Sequence, residues 1–90
     1  SSLSVRIAAA RALGKLGFPR QALPTLEAEL KSKHQWGRLA AAIVLDEMDE
    51  QARPAIPALK QALLKQPNKY IVRVANRALN ELQGTQNTVP

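Results

Sequence analysis

One helical pattern of apolar residues occurs three times along the chain, and it constrains the fold more than any other feature. It is carried by SVRIAAARALGKLG, WGRLAAAIVLDEMD and YIVRVANRALNELQG, where apolar or small residues occupy positions i, i+3, i+4, i+7, i+8 and i+11. This spacing lines one face of an α-helix. Leu13 precedes Leu45 by 32 residues, and Leu45 precedes Leu79 by 34. Because a fixed period of this length is typical of a solenoid, we predict that similar helical units stack side by side.

Each of the three helices is expected to turn this face towards the core. The predicted faces are Val5, Ala8, Ala9, Ala12, Leu13 and Leu16 in the first, Gly37, Ala40, Ala41, Val44, Leu45 and Met48 in the central one, and Ile71, Val74, Ala75, Ala78, Leu79 and Leu82 in the last. Ala9, Ala41 and Ala75 are equivalent positions in this alignment. We expect neighbouring helices to touch there, because small residues permit a close approach.

A second kind of helix separates these three. Pro24 and Pro57 lie 33 residues apart, and proline is tolerated in the first turn of a helix because its missing N–H needs no partner there. We therefore predict one helix over about 23–32 and another over about 53–65. The residues expected to point inward are Leu23, Leu26 and Leu30 in one and Ile56, Leu59 and Leu63 in the other.

Glycine, proline and a serine mark the predicted helix ends. Ser4 is predicted to be the N-cap of the first helix. Gly17 and Pro19 end that helix, and Gly84 ends the last one, since glycine adopts the left-handed conformation common just past a helix and proline cannot continue one.

Together these patterns predict an all-α fold, a short right-handed α-solenoid of about two and a half helical hairpins with five helices. The last helix is expected to cap the stack, because its outer face is the most polar of the three. We expect a single repeat domain over 1–84 and a flexible tail over 85–90. Within the domain the predicted units are repeat 1 at about 4–32, repeat 2 at about 35–65 and the capping helix at about 69–83.

The net charge of +6 is unevenly distributed. It is +4 over 1–33, −3 over 34–50 and +5 over 51–90. The bases are dispersed and aromatic residues make up only 3% of the chain, whereas proteins that bind single strands combine a basic groove with stacking aromatics. We therefore interpret the charge as a solvated basic surface. A cluster of four acids lies in the centre of the chain. Because acids at a helix C-terminus oppose the helix dipole, we expect this cluster to lie at the start of the next helix. Its members are Asp46, Glu47, Asp49 and Glu50.

The sequence lacks the residues needed for catalysis or metal binding. It has no Cys and one His, no glycine-rich phosphate loop and no EF-hand spacing among the acids. His34 and Trp36 form the one pair that resembles a small site. With no carboxylate or second His nearby, we interpret His34 as a residue packed over an inter-repeat turn. We expect no enzymatic activity and no cofactor in this chain.

No segment has the composition of a signal peptide or a membrane span. The longest apolar run, 39–45, is about a third of the roughly 20 residues that cross a bilayer. We therefore expect no membrane partner. Because the sequence begins at Ser1 rather than Met, we expect a fragment of a longer protein.

The pattern V-R-x-x-A-A-x-A-L-G-x-L-G, present from Val5 to Gly17, and the A-L-P-x-L at 22–26 resemble a HEAT-like repeat of the bilin-lyase type. The resemblance covers residues 4–82 and implies stacked helical hairpins. Such repeats occur in protein scaffolds, in bilin lyases and in DNA-repair glycosylases. An enzyme of the bilin-lyase kind is the least favoured of these, because no acid–base constellation is present to carry the chemistry.

A narrower resemblance is carried by ARPAIPALKQAL and NKYIVRVANRALNELQGT, which are similar to the C-terminal repeat tail of some secreted bacterial sulfatases. It implies a parent protein that hydrolyses sulfate esters or sulfamates with a formylglycine nucleophile and a divalent cation, in the periplasm or outside the cell. The C/S-x-P-x-R nucleophile motif does not occur in these 90 residues. This chain would then be a non-catalytic appendage of that hydrolase.

We therefore predict a protein-interaction or structural module. Its concave face is lined by the second helix of each hairpin, that is, by the helices predicted at about 23–32 and 53–65. The candidate interaction residues are Lys60, Gln61, Leu64 and Lys65 on a second helix, with Arg6 and Arg38 on the first helices. The two arginines are spaced by one repeat and form either a ladder with carboxylates or carbonyls, or a ligand site. The expected partner is the catalytic domain of the parent, another protein or an anionic glycan. The alternative is a basic clamp that binds nucleic acid or an anionic polysaccharide, with binding that falls steeply as salt is added.

Overall fold

The computed structural model describes residues 2–64 and 68–89. Within these ranges the chain forms five α-helices, one 3-10 helix and no strand. The α-helices are α1 (Leu3–Lys15), α2 (Pro19–Leu30), α3 (Gln35–Glu47), α4 (Ile56–Leu63) and α5 (Lys69–Gln83), and the 3-10 helix spans Asp49–Ala55. The predicted all-α fold, a short helical solenoid, is confirmed. The domain and repeat boundaries stay predictions.

The helices lie in two layers. α1, α3 and α5 form one layer, in which α3 packs against both of the others, and α2 and α4 form the second layer against it. The chain is correspondingly flat, with principal extents of 34, 27 and 16 Å. None of the helices in the described ranges is long and apolar enough to cross a membrane.

Alanine and leucine build most of the core. The largest fully buried side chains are Leu26, Leu45, Leu59 and Ile71, one from each of α2 to α5. Between them lie alanines with no exposed surface, at Ala22, Ala41, Ala42, Ala52, Ala55 and Ala75. The faces predicted for α3 and α5 are buried or half-buried throughout, so the helical spacing identified them correctly.

The inward face predicted for α1 is wrong for every residue except Leu13, which is half-buried. Val5 is 58% exposed and Leu16 is 71% exposed, and Ala8, Ala9 and Ala12 are exposed as well. α1 instead buries Ile7, Ala10 and Gly14, with Leu3 and Leu13 packed partly against the core. α1 packs closely on α2 and less closely on α3, and its buried face meets these two helices. Gly14, for example, lies against Met48 at the end of α3.

The predicted starts of the first two helices also need correction. Ser2, and not Ser4, is the N-cap of α1, because its Oγ accepts a hydrogen bond of 3.2 Å from the backbone N–H of Val5. α2 begins at Pro19 and not near Leu23, since Pro19 occupies the first helical position, where no N–H is required. Pro24 therefore lies inside the helix and not in its first turn.

The predicted α4 begins too early. The segment around Arg53 and Pro54 belongs to the 3-10 helix, and α4 starts at Ile56, with Pro57 in its first turn as predicted. Asp49, at the start of the 3-10 helix, has a φ of 51°, a left-handed conformation that aspartate tolerates better than most residues. The turn between α3 and α4 is thus spread over a 3-10 segment.

The predicted role of the acidic cluster holds for only half of its members. Asp49 and Glu50 lie in the first turn of the 3-10 helix, as expected. Asp46 and Glu47, at the end of α3, form ion pairs with Arg77 of α5 and Arg11 of α1. Asp46 therefore joins α3 to α5, and Glu47 joins α3 to α1.

The residues that follow α5 fold back onto it. Gly84 ends the helix with a φ of 67°, in agreement with its predicted role. The carbonyl oxygen of Asn87 accepts hydrogen bonds of 2.9 Å from the side-chain amides of both Asn76 and Asn80. The flexibility predicted for 85–90 stays a prediction.

Candidate functional site: a groove at Arg38

A groove opens between the C-terminal ends of α2 and α4 and the start of α3. Its volume is about 490 Å³. It is lined by Leu30 and Lys31 from the end of α2, Arg38 from the first turn of α3, and Ala58, Gln61, Ala62 and Leu64 from α4 and its C-cap. None of these lining residues is acidic.

Arg38 is the residue whose hydrogen bonds are incomplete in this groove. The residue is half-buried, and its Nε atom is buried with no hydrogen-bond partner in the described part of the chain. A buried donor left unpaired costs about 1–3 kcal/mol, and more when the group is charged. The guanidinium presents its N–H donors in a planar fork that matches a carboxylate. The groove therefore contains an arginine with one buried N–H donor that the described residues around it leave unpaired.

The corresponding arginine of the first repeat is paired. Arg6 is the fourth residue of α1, as Arg38 is the fourth residue of α3. The Nη2 atom of Arg6 lies 3.2 Å from Oε2 of Glu29 in α2. The Glu29 side chain is only 13% exposed, so this ion pair is partly shielded from water.

The rim of the groove combines an exposed apolar side chain with polar ones. Leu64 is 65% exposed although it borders the buried Leu30 and Ala62 in this groove. Gln61 and Lys31 are exposed and supply further N–H donors along the same rim. The groove thus has an apolar surface and an excess of positive charge.

The structure gathers half of the predicted interaction residues. Arg38, Gln61 and Leu64 line the groove, whereas Lys60 is exposed on α4 but lies outside the lining. Arg6 belongs to the other repeat and pairs with Glu29, which is the ladder interaction. Lys65 lies outside the described residues.

Four residues of the groove are not among the predicted interaction residues: Leu30, Lys31, Ala58 and Ala62. Lys31 is the C-cap of α2, and its place beside the end of α4 follows only from the stacking of the two second helices. Ala62 carries no chemical signal of its own. The 33-residue register of the prolines could have drawn attention to it, because that register sets Ala62 against Glu29 of the preceding repeat.

The remaining candidate pair is His34 and Trp36, and both side chains are exposed to solvent. His34 is the N-cap residue of α3, and its backbone N–H donates a 3.0 Å hydrogen bond to Ser32 Oγ. Its side chain is exposed and Trp36 is 55% exposed. Within the described ranges no group of three His, Cys, Asp or Glu residues could hold a metal ion.

Comparison with known proteins agrees with the stacked hairpins. The family model described as HEAT repeats matches residues 1–80 of the chain. No curated protein and no solved structure matches it.

Proposed function

Because the chain belongs to the HEAT repeat family, whose members generally mediate protein interactions, we propose that it is a non-catalytic module that binds another protein through the Arg38 groove. The observation that carries the proposal is that one groove contains both an exposed Leu64 and the buried Nε of Arg38, which has no hydrogen-bond partner among the described residues. Protein interfaces place apolar contacts beside arginine, which is enriched in them. An apolar anchor and an unused charged donor together form a surface that a polypeptide segment can complete.

A basic clamp for nucleic acid or an anionic polysaccharide is the alternative, and the net charge of +6 supports it. Ion pairing weakens this support. Arg6, Arg11, Arg53 and Arg77 are already bonded to acids of the chain, which leaves fewer cations for phosphate or sulfate groups. Retention on heparin that disappears by physiological salt would indicate only non-specific charge, whereas a steep salt dependence that persists above it would favour the clamp.

We also propose that the chain is the C-terminal appendage of a larger sulfatase-like hydrolase, whose catalytic domain would be the partner. This proposal is supported by the resemblance of ARPAIPALKQAL and NKYIVRVANRALNELQGT to sulfatase tails. Its test is the coding sequence upstream of Ser1. A sulfatase nucleophile motif there would establish the parent, and a start codon directly before Ser1 would eliminate it.

Two exposed leucines allow a matched test of the binding surface. Leu64 is the C-cap of α4, in the groove, and Leu16 is the C-cap of α1, outside it. Peptides selected from a random 12-residue display library on the wild-type chain are titrated against Leu64→Ser and Leu16→Ser by fluorescence polarisation. Losing a buried leucine contact removes about 1.5–3 kcal/mol, which is at least tenfold in affinity.

The affinity of peptides that bind the groove should therefore fall about tenfold for Leu64→Ser and change by less than about twofold for Leu16→Ser. Failure of the library to give any binder, or an equal loss in both variants, would contradict a protein-binding role for this groove.

A further inference from the structure

We propose that the Arg38 groove is a receptor for a carboxylate, the side chain of a Glu or Asp that lies beside an apolar residue in the bound polypeptide. The proposal rests on the function proposed above and gives it a partner chemistry. It is drawn from a comparison of the two repeats of the chain: Arg6 pairs with Glu29, whereas the position equivalent to Glu29 in the repeat of Arg38 is Ala62.

The sequences of α2 and α4 align with a shift of 33 residues. Pro24 corresponds to Pro57 and Leu26 to Leu59, and both leucines are fully buried. With the same shift, Glu29 corresponds to Ala62. Ala62 lines the groove of Arg38 and is 8% exposed. The second repeat thus keeps the arginine and the helix end, and it replaces the carboxylate by a methyl group.

The first repeat shows what the position is built to hold. There Arg6 and Glu29 meet at 3.2 Å between the first turn of a first helix and the end of a second helix. Arg38, at the equivalent position of α3, lies across the groove from the end of α4, although α3 and α4 pack less closely than α1 and α2 do. There the described residues that line the groove supply no acid, and Arg38 Nε stays buried and unpaired. A carboxylate from outside the chain would replace the missing side chain of the repeat.

The surroundings of Arg38 favour a carboxylate on a polypeptide over a free anion. The guanidinium fork binds a carboxylate through two parallel hydrogen bonds. Lys31 and Gln61 add donors at the rim, while Leu64 and Ala58 add an apolar wall. A segment with an acid next to an apolar residue satisfies both parts of this lining, whereas inorganic phosphate satisfies only the first.

The direct test follows the seven arginine Nε–H signals by nitrogen-15 NMR of the full chain. The probes are the blocked peptide acetyl-Leu-Glu-Leu-amide, its Gln counterpart and inorganic phosphate. We expect the Glu peptide to shift the Arg38 signal, and the Gln peptide and phosphate to leave it in place. A phosphate shift as large as that of the Glu peptide, or equal shifts with the Glu and Gln peptides, would overturn the proposal.

Two substitutions at position 62 separate charge from size. Ala62→Glu supplies the carboxylate within the chain, as Glu29 does for Arg6. It should lower the affinity for the Glu peptide at least tenfold more than the neutral Ala62→Gln does. If both variants lower the affinity for the Glu peptide equally, the added side chain acts only by filling the groove, and the proposal is overturned. Arg38→Gln should abolish the preference for the Glu peptide, and it gives the same answer if a side chain at the 8% exposed position 62 prevents folding.

The outcomes also distinguish this proposal from the function on which it rests. If library peptides bind and depend on Leu64 but carry no acid and leave the Arg38 signal unmoved, the carboxylate site is wrong and the protein-binding groove stands. If no library peptide binds while the Glu peptide still shifts Arg38, the carboxylate site stands and the protein-binding function is wrong.

Discussion

Asp46 of α3 accepts two hydrogen bonds from Arg77 of α5 on a single oxygen, Oδ2, at 2.9 Å from Nε and 2.6 Å from Nη2. Its neighbour Glu47 accepts two from Arg11 of α1, at 2.8 and 3.1 Å. Consecutive acids at the end of α3 therefore hold the first helices on either side. These bonds span 31 and 36 residues of sequence, so they fix the stacking of helices that are distant along the chain.

The Asp46–Arg77 pair should show measurable coupling. The Asp46 side chain is only 11% exposed and Arg77 is 65% exposed, so the carboxylate is shielded from water more than in an ordinary surface pair. We expect a double-mutant cycle of Asp46→Asn and Arg77→Gln, measured by urea unfolding, to give a coupling of about 0.5–1.5 kcal/mol.

The exposed pair Arg53–Glu50 is the control for this cycle. Its side chains are 52% and 72% exposed and lie three residues apart. A pair of that kind typically contributes about 0.2–0.5 kcal/mol. Equal coupling in the two cycles would show that Asp46 contributes no more than a surface acid.

Ala41 and Ala9 test the packing of the first helices. They are equivalent in the sequence repeat, but Ala41 has no exposed surface and Ala9 is exposed. Ala41→Leu should overpack the contact and lower the free energy of unfolding by about 1–3 kcal/mol. Ala9→Leu, like Gln61→Leu on the exposed side of α4, should change it by less than about 0.5 kcal/mol. Similar melting temperatures for the two leucine variants of the alanines would be incompatible with the observed orientation of α1.

Gly14 offers a stabilising substitution. Glycine inside a helix costs about 0.5–1 kcal/mol relative to alanine. A Cβ at Gly14 would lie 3.2 Å from Cγ of Met48, a flexible side chain that borders a cavity of about 180 Å³ and can shift into it. We expect Gly14→Ala to raise the free energy of unfolding by about 0.5 kcal/mol in chemical denaturation.

Gly37 is the matched position where the same change should fail. A Cβ there would meet Glu29 Oε1 and Leu3 Cδ2, each at 3.1 Å, and Glu29 is held by Arg6. Gly37→Ala should therefore give no gain or a small loss. An equal gain at both glycines would mean that the Arg6–Glu29 pair does not hold its position.

Helical spacing predicted the orientation of α3 and α5 but not that of α1. In α1 apolar or small residues occur on both sides of the helix, so that Ile7 and Ala10 fit a helical stripe as well as Val5 and Ala9 do. The choice between the two faces depends on which helices lie next to α1. The spacing of leucines along the chain contains no information about which helices lie next to α1.

The candidate site was predicted in part for a similar reason. Gln61 and Leu64 were identified because they lie off the inward stripe of a second helix, and Arg38 because it repeats Arg6. The significance of Ala62 is that it is not an acid, and the lack of an acid becomes visible only when the pairing of Arg6 with Glu29 is known.

The most direct test of the central claim, that Arg38 lacks a carboxylate which position 62 would supply, is the stability of Ala62→Glu compared with Ala62→Gln, each in the wild-type and Arg38→Gln backgrounds. Chemical denaturation at neutral pH gives the four free energies of unfolding. With Arg38 present the Glu variant should be more stable than the Gln variant by about 1 kcal/mol, because a hydrogen bond to a charged group contributes about 1.5–3 kcal/mol and an acid at the end of α4 loses part of this by opposing the helix dipole. With Arg38→Gln this advantage of the Glu variant should be lost or reversed. A Glu variant no more stable than the Gln variant, or a difference that persists without Arg38, would contradict the claim.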